Sequence, residues 1–386
     1  MRRLRPLQRW TIVLCGLAGL VLAGCSSTEP REQPAAVPEA TGEAPVREIW
    51  SRRFAEGHDG QYLFMTPAVV DDQVFISTAN GYVGAYDARI GRRDWWTKLD
   101  ARLIAGVGAD SDQLYVVTRN GKLIALSHSG ERKWETGLPN ESLVPPQSNG
   151  RQVVVQTIDG ELLAFDQSNG ERSWQYDSNM PVLSFRGNAT PHVDGNRVIT
   201  GFDNGRVVSL DVNMGRVEWQ QALGTASGRT ELERIVDVDA SPVVRDGTVY
   251  MTGYQGKVSA LGLRSGEERW SRSISSLRSP AVGGDNLVVA AYDGRVIGYD
   301  LASRREVWRH DKLAWRRLTA PVTLGDHVVL ADFEGYLYAI RQSDGSIDGR
   351  ALVDEEGIRS SIVRYRDRVI LFGNGGQIAS YRIVEP

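Results

Sequence analysis

The sequence predicts an all-β fold: an eight-bladed β-propeller of four-stranded antiparallel blades, its ring closed by N- and C-terminal strands. Three observations carry the prediction. Gly81, Gly121, Gly160, Gly205, Gly256, Gly294, Gly335 and Gly376 open one recurring phrase at intervals of 40, 39, 45, 51, 38, 41 and 41 residues, a period typical of propeller blades. Seven tryptophans, Trp50, Trp95, Trp134, Trp174, Trp219, Trp270 and Trp308, fall once per unit. The remainder of each unit divides into short segments of alternating apolar and polar residues, as half-buried strands do.

Each unit reads in the same order. A short Pro-marked strand comes first, as in Ser241-Pro242-Val243-Val244 or Ser279-Pro280-Ala281-Val282. Pro is tolerated there because the start of a strand need not donate a ladder hydrogen bond. A second strand follows, such as Val153 to Gln156 or Leu287 to Ala290. An Asn-Gly, Asp-Gly or similar turn then leads into a third strand, such as Lys122 to Leu126 or Glu161 to Phe165. An Asp and a Gly shape the next turn, and the Trp begins the outermost strand, where it is expected to fill the wedge between neighbouring blades. Trp50 precedes any complete repeat, whereas the last repeat reaches Pro386 without an outer strand. Residues 47–54 (REIWSRRF) are therefore expected to supply that strand and so remove two exposed edges.

The N-terminal 46 residues read differently. Arg2, Arg3, Arg5 and Arg9 precede a 13-residue apolar run from Thr11 to Ala23, too short to span a bilayer comfortably and typical of an export signal. Leu22-Ala23-Gly24-Cys25 resembles the lipobox of bacterial lipoproteins. That resemblance implies a signal peptide over 1–24, lipid attachment at Cys25 and, because Ser26 rather than Asp follows, a place in the outer membrane facing the periplasm. Cys15 would leave with the signal, so the mature chain would carry no free thiol, which suits an oxidising compartment. Residues 25–46 hold four Pro and almost no large apolar side chains, the composition of an extended tether. The propeller is expected over 47–386.

Composition narrows the function. Among 386 residues, 45 Lys+Arg and 48 Asp+Glu give a net charge of −3, without the basic excess of a nucleic-acid binder. Residues 1–24 contain four Arg and no acid, so the remainder carries −7. Two Cys in all exclude a disulfide scaffold and a Cys-based zinc ribbon. His58, His128, His192, His310 and His327 are scattered without metal-ligand spacing and read as surface or turn residues. GNGGQ at 373–377 lacks the Lys-Ser/Thr of a phosphate loop and reads as a hairpin turn. Trp315-Arg316-Arg317 reads as a solvated loop end. No catalytic, cofactor or metal residues are expected.

The unit A-x-D-x-x-x-G-x-x-x-W, as in Ala85 to Trp95 and Ala164 to Trp174, resembles the tryptophan-docking repeat of quinoprotein dehydrogenases over residues 48–386. Departures include the shortened turn in 125–134, Gly262 in place of Asp, and Arg304 where Gly is expected. A dehydrogenase of that kind would need bound calcium, a general-base Asp and an aromatic floor for the quinone PQQ. Most Asp residues here lie inside the repeat phrase, where turn formation explains them, and no C-x-x-C-H is present for haem attachment. Lipobox, Pro-rich tether and minimal ring together resemble the BamB family, the propeller lipoproteins of the outer-membrane β-barrel assembly (BAM) complex. That resemblance implies a non-catalytic scaffold that binds the barrel subunit BamA and assists the insertion of outer-membrane proteins, with their unfolded chains as further partners.

The longest Trp-to-Trp intervals after the first blade run from 174 to 219 and from 219 to 270. Their extra residues fall at 178–188 and 221–239, two connections expected to emerge side by side on one end of the ring. Leu183, Phe185 and Arg186 on the first form an apolar pair beside a charge, as interface anchors often do. Asp237 and Asp239 on the second are acids that can steer a basic partner. LSFRGNATP (183–191) and ELERIVDVDASPVV (231–244) also look like the family's partner-binding segments.

Overall fold

A computed structural model describes residues 32–384, apart from 182, 185, 186, 188, 225–228 and 231. The apolar leader and Cys25 lie outside the described residues. Eight four-stranded antiparallel sheets follow one another along the chain. Blade 1 comprises Ala68–Val70, Gln73–Ser77, Tyr82–Asp87 and Arg93–Lys98. Blades 2 to 7 occupy 108–137, 147–177, 192–222, 243–273, 281–310 and 322–352. Blade 8 takes Val363–Tyr365, Arg368–Phe372 and Gln377–Ile383 from the C-terminal end and Val46–Arg53 from the N-terminal end. Val46–Arg53 pairs antiparallel with Gln377–Ile383, placing Trp50 opposite Ser380. The ring is closed as the spare first strand predicts.

The repeat residues explain how blades lock together. Each outer strand carries a β-bulge one residue before the Trp position: at Asp94, between the pairs Ala85↔Trp95 and Tyr86↔Arg93, for example, and at Ser173 in blade 3. A bulge re-aims the side chain beside it, and here it turns the indole toward the next blade. Trp50 donates its indole N–H to Ala88 O at 3.0 Å, Trp174 to Val212 O at 2.7 Å and Trp308 to Gln342 O at 2.7 Å. The six-membered side of each ring covers the repeat glycine of that next blade. A Cβ on Gly91 would lie 2.4 Å from the Trp50 indole, and Gly91 has φ +66°, so close approach and backbone conformation both call for glycine there. The repeat Asp shapes the same turn: Asp87 Oδ1 accepts from the Arg89 N–H at 2.9 Å, and the Gly91 N–H donates to Asp87 O at 2.8 Å.

Two blades break the rule. Arg304 occupies the glycine position in blade 6 with φ +59°, and among the described residues Trp270 makes no indole hydrogen bond across the joint. Instead Arg272 Nη2 donates to Arg304 O at 2.6 Å, with its guanidinium 5.9 Å from the Trp270 ring. In blade 7 the Trp position holds Gly349, opposite Ala339. A Cβ on Gly349 would lie 2.3 Å from Ala44 O and 3.0 Å from Val46 N. The chain leading into blade 8 thus occupies the place of the missing indole.

That packing corrects the expected tether, which does not extend to residue 46. From Ala35 onward the chain lies along blade 7. The Ala35 N–H donates to Ala314 O, the Thr41 N–H to Ile347 O and the Gly42 N–H to Asp348 O, each at 2.9 Å. Ala44 is buried, and Val37 and Ala40 pack on the core between blades 6 and 7. Low apolar content was the ground for expecting a tether, but backbone hydrogen bonds to an open edge strand hold the segment without large side chains. Arg316 corrects a second expectation. It is 1% exposed, not solvated. Its Nε donates to Asp332 Oδ2 at 2.6 Å and its Nη1 to Ala35 O at 2.7 Å, while Nη2 reaches Glu334. His58 and His327 are likewise buried rather than superficial. Burial, with the charge of Arg359, lowers the His58 pKa to about 3, and His327 Nε2 lies 2.9 Å from Asp348. GNGGQ is the expected hairpin turn, with the Gly373 N–H on Gln377 O at 2.8 Å.

Candidate functional site: a partner-binding patch

In a four-stranded up-and-down blade, the turn between the second and third strands and the connection to the next blade share one end. Residues 178–188 and 221–239 are such connections, joining blades 3 to 4 and 4 to 5. The second is a built loop. Thr230 and Glu233 form a capping box around the short 3₁₀ turn Leu232–Arg234: the Glu233 N–H donates to Thr230 Oγ1 at 3.2 Å, and the Thr230 N–H to Glu233 Oε2 at 3.3 Å. Ile235, Val236 and Val238 bury beneath it. The Val238 N–H donates to Phe202 O at 3.3 Å and the Tyr254 N–H to Asp237 O at 2.8 Å, which lays residues 236–240 across the tops of blades 4 and 5.

The two connections meet, as their position in the repeat predicts. A Cβ on Gly187 would lie 2.2 Å from Asp239 Oδ2. The Thr190 N–H donates to Ser241 Oγ at 3.0 Å, fixing the exit of one loop to the exit of the other. Leu183 remains 44% exposed, as an interface anchor requires. Phe185 and Arg186 lie outside the described residues.

The acids do not sit where a steering role would put them. Asp237 is 0% exposed, and Asp239 faces inward, hydrogen-bonded to Asp203, which also bonds Ser184. The expectation of two acids facing a partner is therefore corrected: Asp237 lies under the surface, and the half-buried Asp239 turns toward the ring axis, where it lines a cavity. Burial pushes the Asp203 pKa up to about 6, against the hydrogen bonds from Ser184 and Asp239. Burial also raises Asp239 well above the usual carboxylate range, helped by the charges of Asp203 and Asp237 and opposed by Arg278. Both carboxyls are thus pushed toward the protonated form, because two close buried carboxylates resist double ionisation.

Sequence reasoning missed Ser184, Gly187 and Asp203 as supports of this patch. Asp203 had a visible signal. Two residues before the leading glycine the eight repeats hold Ala79, Arg119, Ile158, Asp203, Tyr254, Tyr292, Phe333 and Asn374, so the one acid stands out. The T-x-x-E of 230–233 was a visible capping box. Among the described residues no group of three or more His, Cys, Asp or Glu side chains is placed to hold a metal ion.

Comparison with known proteins decides the family. The sequence profile described as outer membrane protein assembly factor BamB matches residues 79–310. A protein of that name from Marinobacter adhaerens is 43% identical over 371 residues, covering 95% of this chain and 95% of the relative. The chain belongs to the BamB family. A BamB from Burkholderia pseudomallei is 32% identical over 372 residues, 96% of this chain and 97% of the relative. The crystal structure of BamB from Moraxella catarrhalis superposes with a TM-score of 0.80 at 26% identity, covering 87% of this chain and 99% of that one. Quinohemoprotein alcohol dehydrogenase from Comamonas testosteroni shares the fold at a TM-score of 0.68 but is 14% identical, over 87% of this chain and 76% of that one. The expected BamB-family propeller is thus confirmed, and the likeness to the dehydrogenase extends to the fold alone.

Proposed function

We propose that this BamB-family protein is a lipid-anchored, non-catalytic component of the outer-membrane β-barrel assembly machinery, docking on the barrel subunit BamA from the periplasmic side. The observation that carries the reading is the joint between two over-length connections, Gly187 on Asp239, which presents Leu183 at the surface of a patch supported from below. Leu183, Phe185 and Arg186 are the proposed partner contacts. Asp203 and Asp239 act through the loop they hold, as positioning residues. The proposed anchor is lipid on Cys25 after removal of residues 1–24, and the proposed outcome is assistance to the folding and insertion of outer-membrane proteins.

The test is co-purification from detergent-solubilised outer membranes. The tagged chain should recover the barrel subunit, and Leu183→Glu should lose it with an unchanged melting temperature. Cys25→Ala should move the folded protein out of the membrane fraction. Recovery of the subunit at wild-type level by Leu183→Glu would place the docking site elsewhere. Absence of the subunit from the wild-type preparation would overturn the reading itself.

A further inference from the structure

A cavity of about 570 Å³ opens on the propeller axis at the end that carries the connections. All eight blades, or the connections leading into them, contribute to its wall, from Tyr62 before blade 1 to Ser361 before blade 8. Its volume falls in the range that accommodates a small organic molecule. Most of the lining is apolar, supplied by residues such as Leu63, Ile104, Leu143 and Leu277.

Three guanidinium groups interrupt that lining: Arg119, Arg278 and Arg359. Two of them are held by aromatic rings. Arg359 lies 4.8 Å from the Tyr62 ring centroid, Tyr62 meets Phe64 edge-on at 5.6 Å, and Arg278 lies 5.3 Å from the Phe64 centroid. The run cation, ring, ring, cation forms one wall of the cavity. Among the described residues these cations hydrogen-bond to uncharged groups: Arg278 Nε to Leu318 O at 2.9 Å and Arg119 Nη1 to Gln61 Oε1 at 2.9 Å, with Arg278 also bonded to the Tyr62 side chain. Arg359 Nη1 makes a long 3.4 Å contact to Gln61 O. Among the described residues, none of the three makes a salt bridge with a carboxylate.

Asp239 is the one acid among the described lining residues; it is hydrogen-bonded to Asp203, and burial holds its pKa well above the usual carboxylate range although the Arg278 charge opposes this. Burial lowers the pKa of Arg278, the direction expected of a cation removed from water without a full counter-charge. An arginine side chain stays protonated regardless. The cavity therefore combines an apolar body with three guanidinium groups against a single lining carboxyl, that of Asp239.

We infer that this axial cavity binds a small organic carboxylate carried on an apolar body, with the Arg278 and Arg359 guanidinium groups receiving the carboxylate and the aliphatic wall receiving the rest. Its wall includes Gly187, Thr190, Asp239 and Ser241 of the joint beneath the Leu183 patch, but the inference does not depend on the proposed partner. Arginine suits this role because its planar fork can bond both carboxylate oxygens while its face rests on an aromatic ring.

The probe pair is pyrenebutyrate and its uncharged analogue pyrenebutanol, titrated against the purified full chain and followed by pyrene anisotropy. Pyrenebutyrate should bind saturably at one site, at least tenfold more tightly than the alcohol. Arg278→Met keeps the volume and removes the charge, and should bring the acid to the affinity of the alcohol. Ser361→Trp, at the solvent-exposed mouth, should abolish binding of both probes and serves if Arg278→Met lowers the melting temperature. Equal affinity for acid and alcohol would overturn the inference. So would pyrenebutyrate binding that Ser361→Trp leaves unchanged, because the probe would then be bound elsewhere.

Discussion

Gly187 rests on the carboxylate of Asp239, with no room between them for a methyl group: a Cβ there would lie 2.2 Å from Oδ2. Two connections about fifty residues apart in sequence are held together at this point. Gly187→Ala should force the 178–188 connection off its support without touching any blade. The expected result is at least a tenfold loss of barrel-subunit co-purification, with a melting temperature close to wild type. Retained recovery would show that the joint does not shape the docking surface.

The Asp203–Asp239 pair should make stability depend on pH in a defined direction. Both pKa values are raised by folding, Asp203 to about 6. Their contribution is therefore fully present below the unfolded carboxylate pKa near 4 and is lost as pH rises through the folded values. Asp239→Asn removes the strained charge but keeps a polar group. It should raise the urea midpoint at pH 8, by the equivalent of about 1–3 kcal/mol, and leave it nearly unchanged at pH 4. A shift of equal size at both values would show that folding does not raise the pKa of these carboxyls.

The two kinds of blade joint should differ in strength. Trp308 is buried over Gly345 and bonded to Gln342 O, so Trp308→Ala should cost about 3–5 kcal/mol. Trp270, facing Arg304, should cost clearly less. Arg304→Gly restores the repeat residue and relieves a left-handed backbone conformation, and should stabilise the protein by about 1 kcal/mol. Thermal unfolding of the three variants is the measurement. Equal losses for Trp308→Ala and Trp270→Ala would mean that the glycine contact contributes nothing.

The segment before blade 8 should behave as part of the propeller. Deleting residues 26–34 should leave the melting temperature unchanged. Deleting 26–45 exposes the edge of blade 7, removes Ala44 from beneath Gly349's side of the sheet and takes away the Ala35 carbonyl that Arg316 bonds. The longer deletion should melt several degrees lower. Identical melting of the two would return residues 35–45 to the status of a tether.

Features that repeat were legible in the sequence, and features made by pairing unlike residues were not. Trp50 announced ring closure because its partner strand was missing from the other end of the same pattern. The adjacency of the connections at 178–188 and 221–239 followed from their place in the repeat. Arg316 was misread because its neighbours suggest a loop, whereas its partners are a carboxylate 16 residues away and a carbonyl 281 residues away. Asp237 and Asp239 looked like surface acids because polar residues between blades usually are. The burial comes from Ile235, Val236 and Val238 turning inward around them, an alternation that also reads as a short strand. Gly349 stayed silent because its meaning lies in the indole it lacks.

The docked segment sets the length of the leash. With lipid on Cys25 as proposed, ten steps of chain lead to Ala35, where the propeller begins to hold it. At full extension they reach about 35 Å, whereas a tether running to residue 46 would reach roughly twice as far. Ala35 is fastened to Ala314, in the connection between blades 6 and 7, and so at the end of the ring that also carries Leu183 and the mouth of the axial cavity. The chain is thus moored by the rim that offers the patch. On that proposal, a ring moored there would stay within about 35 Å of the bilayer, on a leash that leaves from the end carrying the patch.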